Sequence, residues 1–246
     1  MAERQSIDVG MILDGNRRFA RKSGLNSVTE GHRAGGENFK NIIERARDEQ
    51  RVRVLAAWCL SCKNLDNRST LEIEGIFGIS NEFLEDLRDS WVDRPENADV
   101  RLLHMGRQDR MLQSHRGRRM LTLLSDIAAH TRERTGMVVA LCFDYAGADE
   151  QQRAIAAWRE DGMPTASFEP YLDLPRQGVP FRPLDLILRT GKEAGESDRS
   201  GAFLHPYMIA GETRLRSSTL LFPEFTPDHF SAELDAYMAE AKREGK

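Results

Sequence analysis

The 246-residue sequence has no apolar run longer than roughly ten residues, about half of the ~20 that a membrane-spanning helix needs. Met1–Gly10 lacks the apolar stretch of a secretory signal. No integral membrane segment is expected, and the chain reads as cytoplasmic. Cysteine is scarce, at three residues. Cys59 and Cys62 form one Cys-x-x-Cys with no second pair to complete a zinc site. In a strand, residues three apart point to opposite faces, so a simple structural role is expected for both. Cys142 stands alone in an apolar run and reads as core. Positive charge is not in excess either, since the net charge is −4. A broad basic face for nucleic acid is not expected, which leaves room only for a local basic pocket. Repeats, low-complexity tracts and long linkers are absent. With 40% hydrophobic and 30% charged residues, the chain can form a packed core without disulfide or metal. Residues 1–246 read as a single domain.

Strand-like and helix-like segments alternate, which predicts an α/β fold with βαβ units around a mostly parallel sheet. The expected strands are Ile7–Leu13, Val52–Leu60, Val100–Met105, Met137–Phe143, Leu184–Leu188 and Thr219–Phe222. Helices are expected over Glu37–Glu49, from the capping box Ser69-Thr70-Leu71-Glu72 to Trp91, over Asp109–Arg134, around Gln151–Trp158, and from Pro227 onward. Glycine and charge concentrate in Gly191–Gly201, which predicts a mobile loop there.

Polar chemistry gathers at the carboxyl ends of the expected strands, where open α/β sheets bind ligands. The first strand ends in Asp14-Gly15-Asn16-Arg17-Arg18-Phe19-Ala20. Glycine lets the backbone approach an anion, and arginine matches phosphate oxygens with paired hydrogen bonds. A carboxylate beside phosphates commonly works through Mg²⁺. The same residues also suit an ordinary turn. Gly31-His32-Arg33-Ala34-Gly35-Gly36 is either a second anion loop or a plain connection before a helix. The second strand runs into Ser61-Cys62-Lys63-Asn64-Leu65-Asp66-Asn67-Arg68-Ser69, and the fifth into Arg189-Thr190-Gly191, followed by Arg199. Three strands would thus deliver Asp, Asn and Arg to one sheet edge.

These segments, together with Glu212, occur in the order found in cis-prenyltransferases, and the chain resembles that undecaprenyl diphosphate synthase family from Val9 to Phe225. The resemblance implies a central, mostly parallel six-stranded sheet flanked by helices, and a homodimer. It implies prenyl diphosphate substrates and an apolar tunnel for the product, walled by Ile76, Phe77 and Phe83. The allylic diphosphate would be held by Gly15, Asn16, Arg17 and Arg18, with His32 and Arg68 nearby. The acceptor's diphosphate would sit near Arg189, Arg199 and Ser200. Asp14 and Glu212 match the positions that hold Mg²⁺, and Asn64 would orient the acceptor. The proton acceptor stays open among His205, Ser200 and Tyr145.

Departures from the family pattern cluster. Ser-Ser-Glu-Asn-Trp is Ser61-Cys62-Lys63-Asn64-Leu65 here, and Arg-x-Ser is Arg199-Ser200-Gly201. The Gly191–Asp198 loop is longer than usual. Asn-Tyr-Gly-Gly-Arg becomes Asp144-Tyr145-Ala146-Gly147-Ala148, and His205-Pro206 replaces an apolar pair. The first anion site is mostly intact and the second is rebuilt. The expected reaction is therefore irregular head-to-middle coupling of dimethylallyl or geranyl diphosphate to a second C5 diphosphate, giving lavandulyl-type and in some members cyclised products, with Trp58 limiting chain length. The alternatives are head-to-tail cis elongation with isopentenyl diphosphate, transfer to a non-prenyl acceptor, a diphosphate lyase, or a non-catalytic subunit.

Overall fold

The computed structural model describes residues 6–197 and 212–243. Among them, six strands form one sheet in the order β3-β4-β2-β1-β5-β6, and every pairing is parallel. The strands are β1 Ile7–Ile12, β2 Val52–Ser61, β3 Arg101–Met105, β4 Val138–Tyr145, β5 Leu186–Arg189 and β6 Arg214–Ser217. The main helices are α1 Asn16–Lys22, α2 Val28–Glu49, α3 Cys62–Asn67, α4 Thr70–Asp86, α5 His115–His130, α6 Gly147–Glu160, α7 Asp173–Arg176 and α8 Pro227–Arg243. A π-helical turn, Leu87–Trp91, prolongs α4.

Central strands are buried on both faces, as parallel sheets require. Along β4, Val139, Leu141 and Phe143 join the larger core, while Val138, Ala140 and Cys142 join a smaller one on the opposite face. The larger core also holds Phe39, Ile42, Phe77, Leu84, Leu123 and Phe230 from the helices. No helix among the described residues is long and apolar enough to cross a membrane.

Three expectations are corrected. Thr219–Phe222 is not a strand: the sixth strand is Arg214–Ser217, and Phe222–Glu224 forms a 3-10 turn. An edge strand need not be apolar, and Arg216 on it pairs with Glu233 and Glu240 of α8. The helix expected from Asp109 begins at His115, where the Ser114 side chain accepts the Gly117 N–H at 2.8 Å. Most consequentially, Gly31–Gly36 lies inside α2 and is not a loop. Its glycines admit α1: a Cβ on Gly31 would stand 2.2 Å from the Asn16 carbonyl oxygen, and one on Gly35 2.4 Å from Asn16 Oδ1. The glycines therefore set how closely Asn16 and Arg17 sit against α2. Arg199, Ser200, His205 and Pro206 lie outside the described residues.

The strand order reverses at β1, which pairs with β2 on one side and β5 on the other. The carboxyl end of β1 is the switch point where such sheets open a crevice.

Candidate active site

A cavity of about 730 Å³ opens at that point. It is lined from β1 and α1 by Asp14, Gly15, Asn16, Arg17, Arg18 and Arg21, and from α2 by His32. Trp58, Ser61, Lys63, Asn64 and Arg68 contribute from β2, α3 and the residue after it, and Arg189 and Glu193 from β5 and its loop.

The turn after β1 is fixed through its backbone. Thr190 Oγ1 donates to the Asp14 carbonyl at 2.8 Å, and the Phe222 N–H donates to the same oxygen at 3.1 Å. Gly15 enters α1 at φ 112°, where a Cβ would lie 2.9 Å from Leu221 Cα. Gly191 is equally constrained, with φ 68° and Arg18 Nη2 2.7 Å from where its Cβ would be. Both glycines serve close approach around Asp14.

Two charge clusters flank β1. On the β5 side, Asp14 pairs with Arg18 at 3.3 Å and Arg189 at 3.2 Å. Arg18 also pairs with Glu193 at 3.0 Å, and Arg189 with Glu196 at 3.0 Å. On the β2 side, Glu72 sits 3.3 Å from Arg17 and 3.6 Å from Arg68. His32 packs into this second cluster. Burial, reinforced by the Arg68 and Arg17 charges against the opposing pull of Glu72, lowers its pKa to about 4, so it is neutral near pH 7. Asn16 Oδ1, His32 Nε2 and Arg68 Nη1 are buried without a hydrogen-bond partner among the described residues. Glu72 Oε1 and, on the β5 side, Arg189 Nη1 likewise lack a hydrogen-bond partner among the described residues. Unpaired buried polar atoms are costly, and a set of them around one cavity marks the place where a polar ligand would complete the bonding.

The low pKa of His32 has a consequence for stability. Between about 4 and 6.5 the unfolded chain binds a proton at this position that the folded chain does not. Stability should therefore fall as pH drops through that window. Urea unfolding at pH 7 and pH 4.5 should show a smaller loss for His32→Gln than for the parent; equal losses would contradict the buried neutral imidazole.

Asn64 and Lys63 are held at the cavity by α3. Ser61 Oγ caps that helix by accepting the Asn64 N–H at 2.9 Å. Arg110 fastens it from below. Its Nε donates to Asp144 Oδ2 at 2.9 Å, its Nη2 reaches the Cys62 carbonyl at 3.4 Å, and its Nη1 pairs with Asp66. Cys59 and Cys62 are not reactive thiolates. Burial pushes both thiols up to about 12, and for Cys62 the Asp144 charge adds to it.

Among the described residues expected to bind diphosphate or metal or to orient the acceptor, only Glu212 is not a lining residue; it lies exposed on the turn before β6. Tyr145 is fully buried and its hydroxyl donates to Glu150 at 2.7 Å, so it does not line the cavity. Ile76 and Phe77 pack in the larger core, with Phe83 against it, and none of the three lines the cavity. The sequence reading overlooked the ion-pairing roles of Glu72, Glu193 and Glu196 and the anchoring role of Arg110. The charge density of the Gly191–Gly201 segment was the signal pointing to Glu193 and Glu196, and the capping box the one pointing to Glu72.

No cluster of three His, Cys, Asp or Glu side chains suited to a metal occurs among the described residues. Two lining carboxylates, Asp14 and Glu193, face the cavity beside guanidinium groups, and Asp14 is the one at the end of β1. That donor set fits Mg²⁺ arriving on a diphosphate, because Mg²⁺ is commonly bound through one or two carboxylates plus substrate phosphates.

The prenyltransferase family model described as undecaprenyl diphosphate synthase matches residues 12–245. The chain is 27% identical to an isoprenyl transferase of Aquifex aeolicus over 97% of this chain and 95% of that protein. It is 35% identical to a (2Z,6E)-farnesyl diphosphate synthase of Thermobifida fusca over 60% of this chain and 52% of that protein. In structure it is similar to lavandulyl diphosphate synthase from Lavandula x intermedia, solved with dimethylallyl diphosphate. The TM-score is 0.78 at 25% identity, covering 96% of each chain.

Proposed function

Because the chain belongs to the undecaprenyl diphosphate synthase family and is a prenyltransferase, we propose that it couples an allylic diphosphate, dimethylallyl or geranyl, to a second C5 diphosphate and makes a short, irregular, head-to-middle product. The observation that carries the short-product reading is the cavity's lining. Of the side chains that would wall a long tunnel, Ile76 and Phe77 are in the core and Phe83 packs against it, and Trp58 stands at the cavity with its Nε1 donating to the Tyr145 carbonyl at 3.3 Å. The likeness to the lavandulyl diphosphate synthase favours the irregular mode.

In this reading Gly15, Asn16, Arg17, Arg18, His32 and Arg68 hold the allylic diphosphate. As its C–O bond breaks, negative charge grows on the departing oxygens, and guanidinium donors already in place stabilise it. The acceptor's double bond forms the new C–C bond at the allylic carbon, and a proton leaves to the released diphosphate. Neutral His32 can donate one N–H without adding charge. Asn64 would orient the acceptor, and Ile12, Leu13 and Trp58 would keep water from the electron-poor carbon. Mg²⁺ held at Asp14 would supply further charge neutralisation of the leaving group; Glu212, Arg199 and Ser200 would complete the second site, and a homodimer is the proposed assembly.

A second reading, head-to-tail cis elongation, is favoured by the relative named (2Z,6E)-farnesyl diphosphate synthase. Incubation with Mg²⁺ and dimethylallyl diphosphate alone, and then with isopentenyl diphosphate added, separates the two. A branched C10 product formed without isopentenyl diphosphate is the expected result. An absolute requirement for isopentenyl diphosphate would overturn the irregular mode.

A further inference from the structure

The two halves of the cavity differ in charge. On the β5 side, two guanidinium groups, Arg18 and Arg189, face three carboxylates, Asp14, Glu193 and Glu196. On the β2 side, Arg17 and Arg68 share the single carboxylate of Glu72. Lys63 lines the same half and has no carboxylate partner among the described residues. The β2 side therefore carries a surplus of two positive charges, and the β5 side a deficit of one. Buried side-chain atoms without hydrogen-bond partners among the described residues occur in both halves: His32 Nε2, Arg68 Nη1, Asn16 Oδ1 and Glu72 Oε1 around the β2 side, and Arg189 Nη1 on the β5 side. The net charge is what separates the two halves.

An anion seats where positive charge is uncompensated. We propose that Lys63 is a substrate-binding residue that closes its ammonium onto the allylic diphosphate in the β2 half of the cavity. Its position is fixed at the base and free at the tip. Ser61 and Arg110 anchor α3, while the Lys63 side chain is exposed and unpaired. A flexible four-carbon stem then brings a compact charge to the phosphates. Arg21 is the other lining cation without a carboxylate partner among the described residues, but it comes from the last turn of α1, away from the strand ends. The assignment to the allylic substrate rests on the reading given above; the diphosphate contact itself does not.

The experiment is calorimetric titration of the full chain with inorganic pyrophosphate, paired with steady-state kinetics on dimethylallyl diphosphate. Lys63→Gln should weaken pyrophosphate binding about tenfold, in line with loss of one charge-assisted hydrogen bond. Lys63→Glu should weaken it further, and Lys63→Arg should stay within about threefold of the parent. The unfolding midpoint should not move in any of them, because the side chain makes no contact that the fold uses. In turnover, Lys63→Gln should raise the KM for the allylic substrate. Pyrophosphate affinity within about twofold of the parent would overturn the proposal, even if prenyl transfer is observed. Weakened pyrophosphate binding in a protein that transfers no prenyl group would keep the Lys63 contact and overturn the function instead.

Discussion

Replacing Asp14 by alanine is expected to lower turnover by about a thousandfold while leaving the fold intact. The carboxylate is 41% exposed and belongs to no core cluster. The turn is held through the Asp14 carbonyl, which accepts from Thr190 and Phe222 and survives the substitution. What is lost is the lining carboxylate that pairs with both Arg18 and Arg189. The sign of a second effect separates this role from a general weakening of the site. Without metal, removing a negative charge from beside two guanidinium groups should leave pyrophosphate binding unchanged or stronger. With Mg²⁺ present, the extra affinity that the metal brings should disappear. Unchanged turnover, or an equal loss of pyrophosphate affinity with and without Mg²⁺, would contradict the assignment.

Arg110→Met should be strongly destabilising. Asp144, next to last in β4, is fully buried at φ 48°, and Arg110 bonds both of its carboxylate oxygens. Removing the guanidinium strands a buried charge, which costs about 3–5 kcal/mol. For a chain of this length that lowers the melting temperature by roughly 10 °C. Adding Asp144→Asn should restore much of the loss, because asparagine tolerates a positive φ and carries no charge to strand. The pair of variants also reads the connection to function. Arg110 ties both Cys62 and Asp66 of α3 to the sheet, so the double variant should regain stability without regaining full activity. A single variant that melts like the parent would show that the buried pair is not structural.

Much of this architecture is legible in the sequence because strands in a parallel sheet are near-continuous apolar runs ending in polar residues. Met137–Phe143 and Val52–Leu60 were readable in that way and lie within β4 and β2 to within two residues at each end. The failures have local causes. Thr219–Phe222 looks like a strand by its apolar residues, but its backbone is used to close over Asp14 through Phe222. Arg214–Ser217 looks unlike one, and its Arg216 is balanced by α8, which follows later in the chain. Glycine-rich Gly31–Gly36 reads as a loop by propensity. Its glycines sit within a helix because that stretch of α2 packs directly against Asn16 of α1, a tertiary demand that periodicity cannot carry.

The candidate site was legible where one segment supplies it, as with Asp14–Arg18 at the end of β1. It was not legible where side chains meet across long separations. Arg18 meets Glu193 across 175 residues, and Arg110 meets Asp144 across 34. Nothing in the sequence says which of many charged residues will pair. The difference in charge between the two halves of the cavity therefore emerges only from the fold.

The central claim is that the polar end of β1 seats a prenyl diphosphate. The most direct measurement is a crystal structure with Mg²⁺ and a non-hydrolysable analogue of dimethylallyl diphosphate. The account predicts both phosphorus atoms over Gly15–Arg18, with phosphate oxygens in hydrogen-bond reach of Arg17 and Arg18 and the prenyl tail against Trp58. Phosphorus atoms far from Asp14 and Arg18 in a fully occupied complex would contradict it.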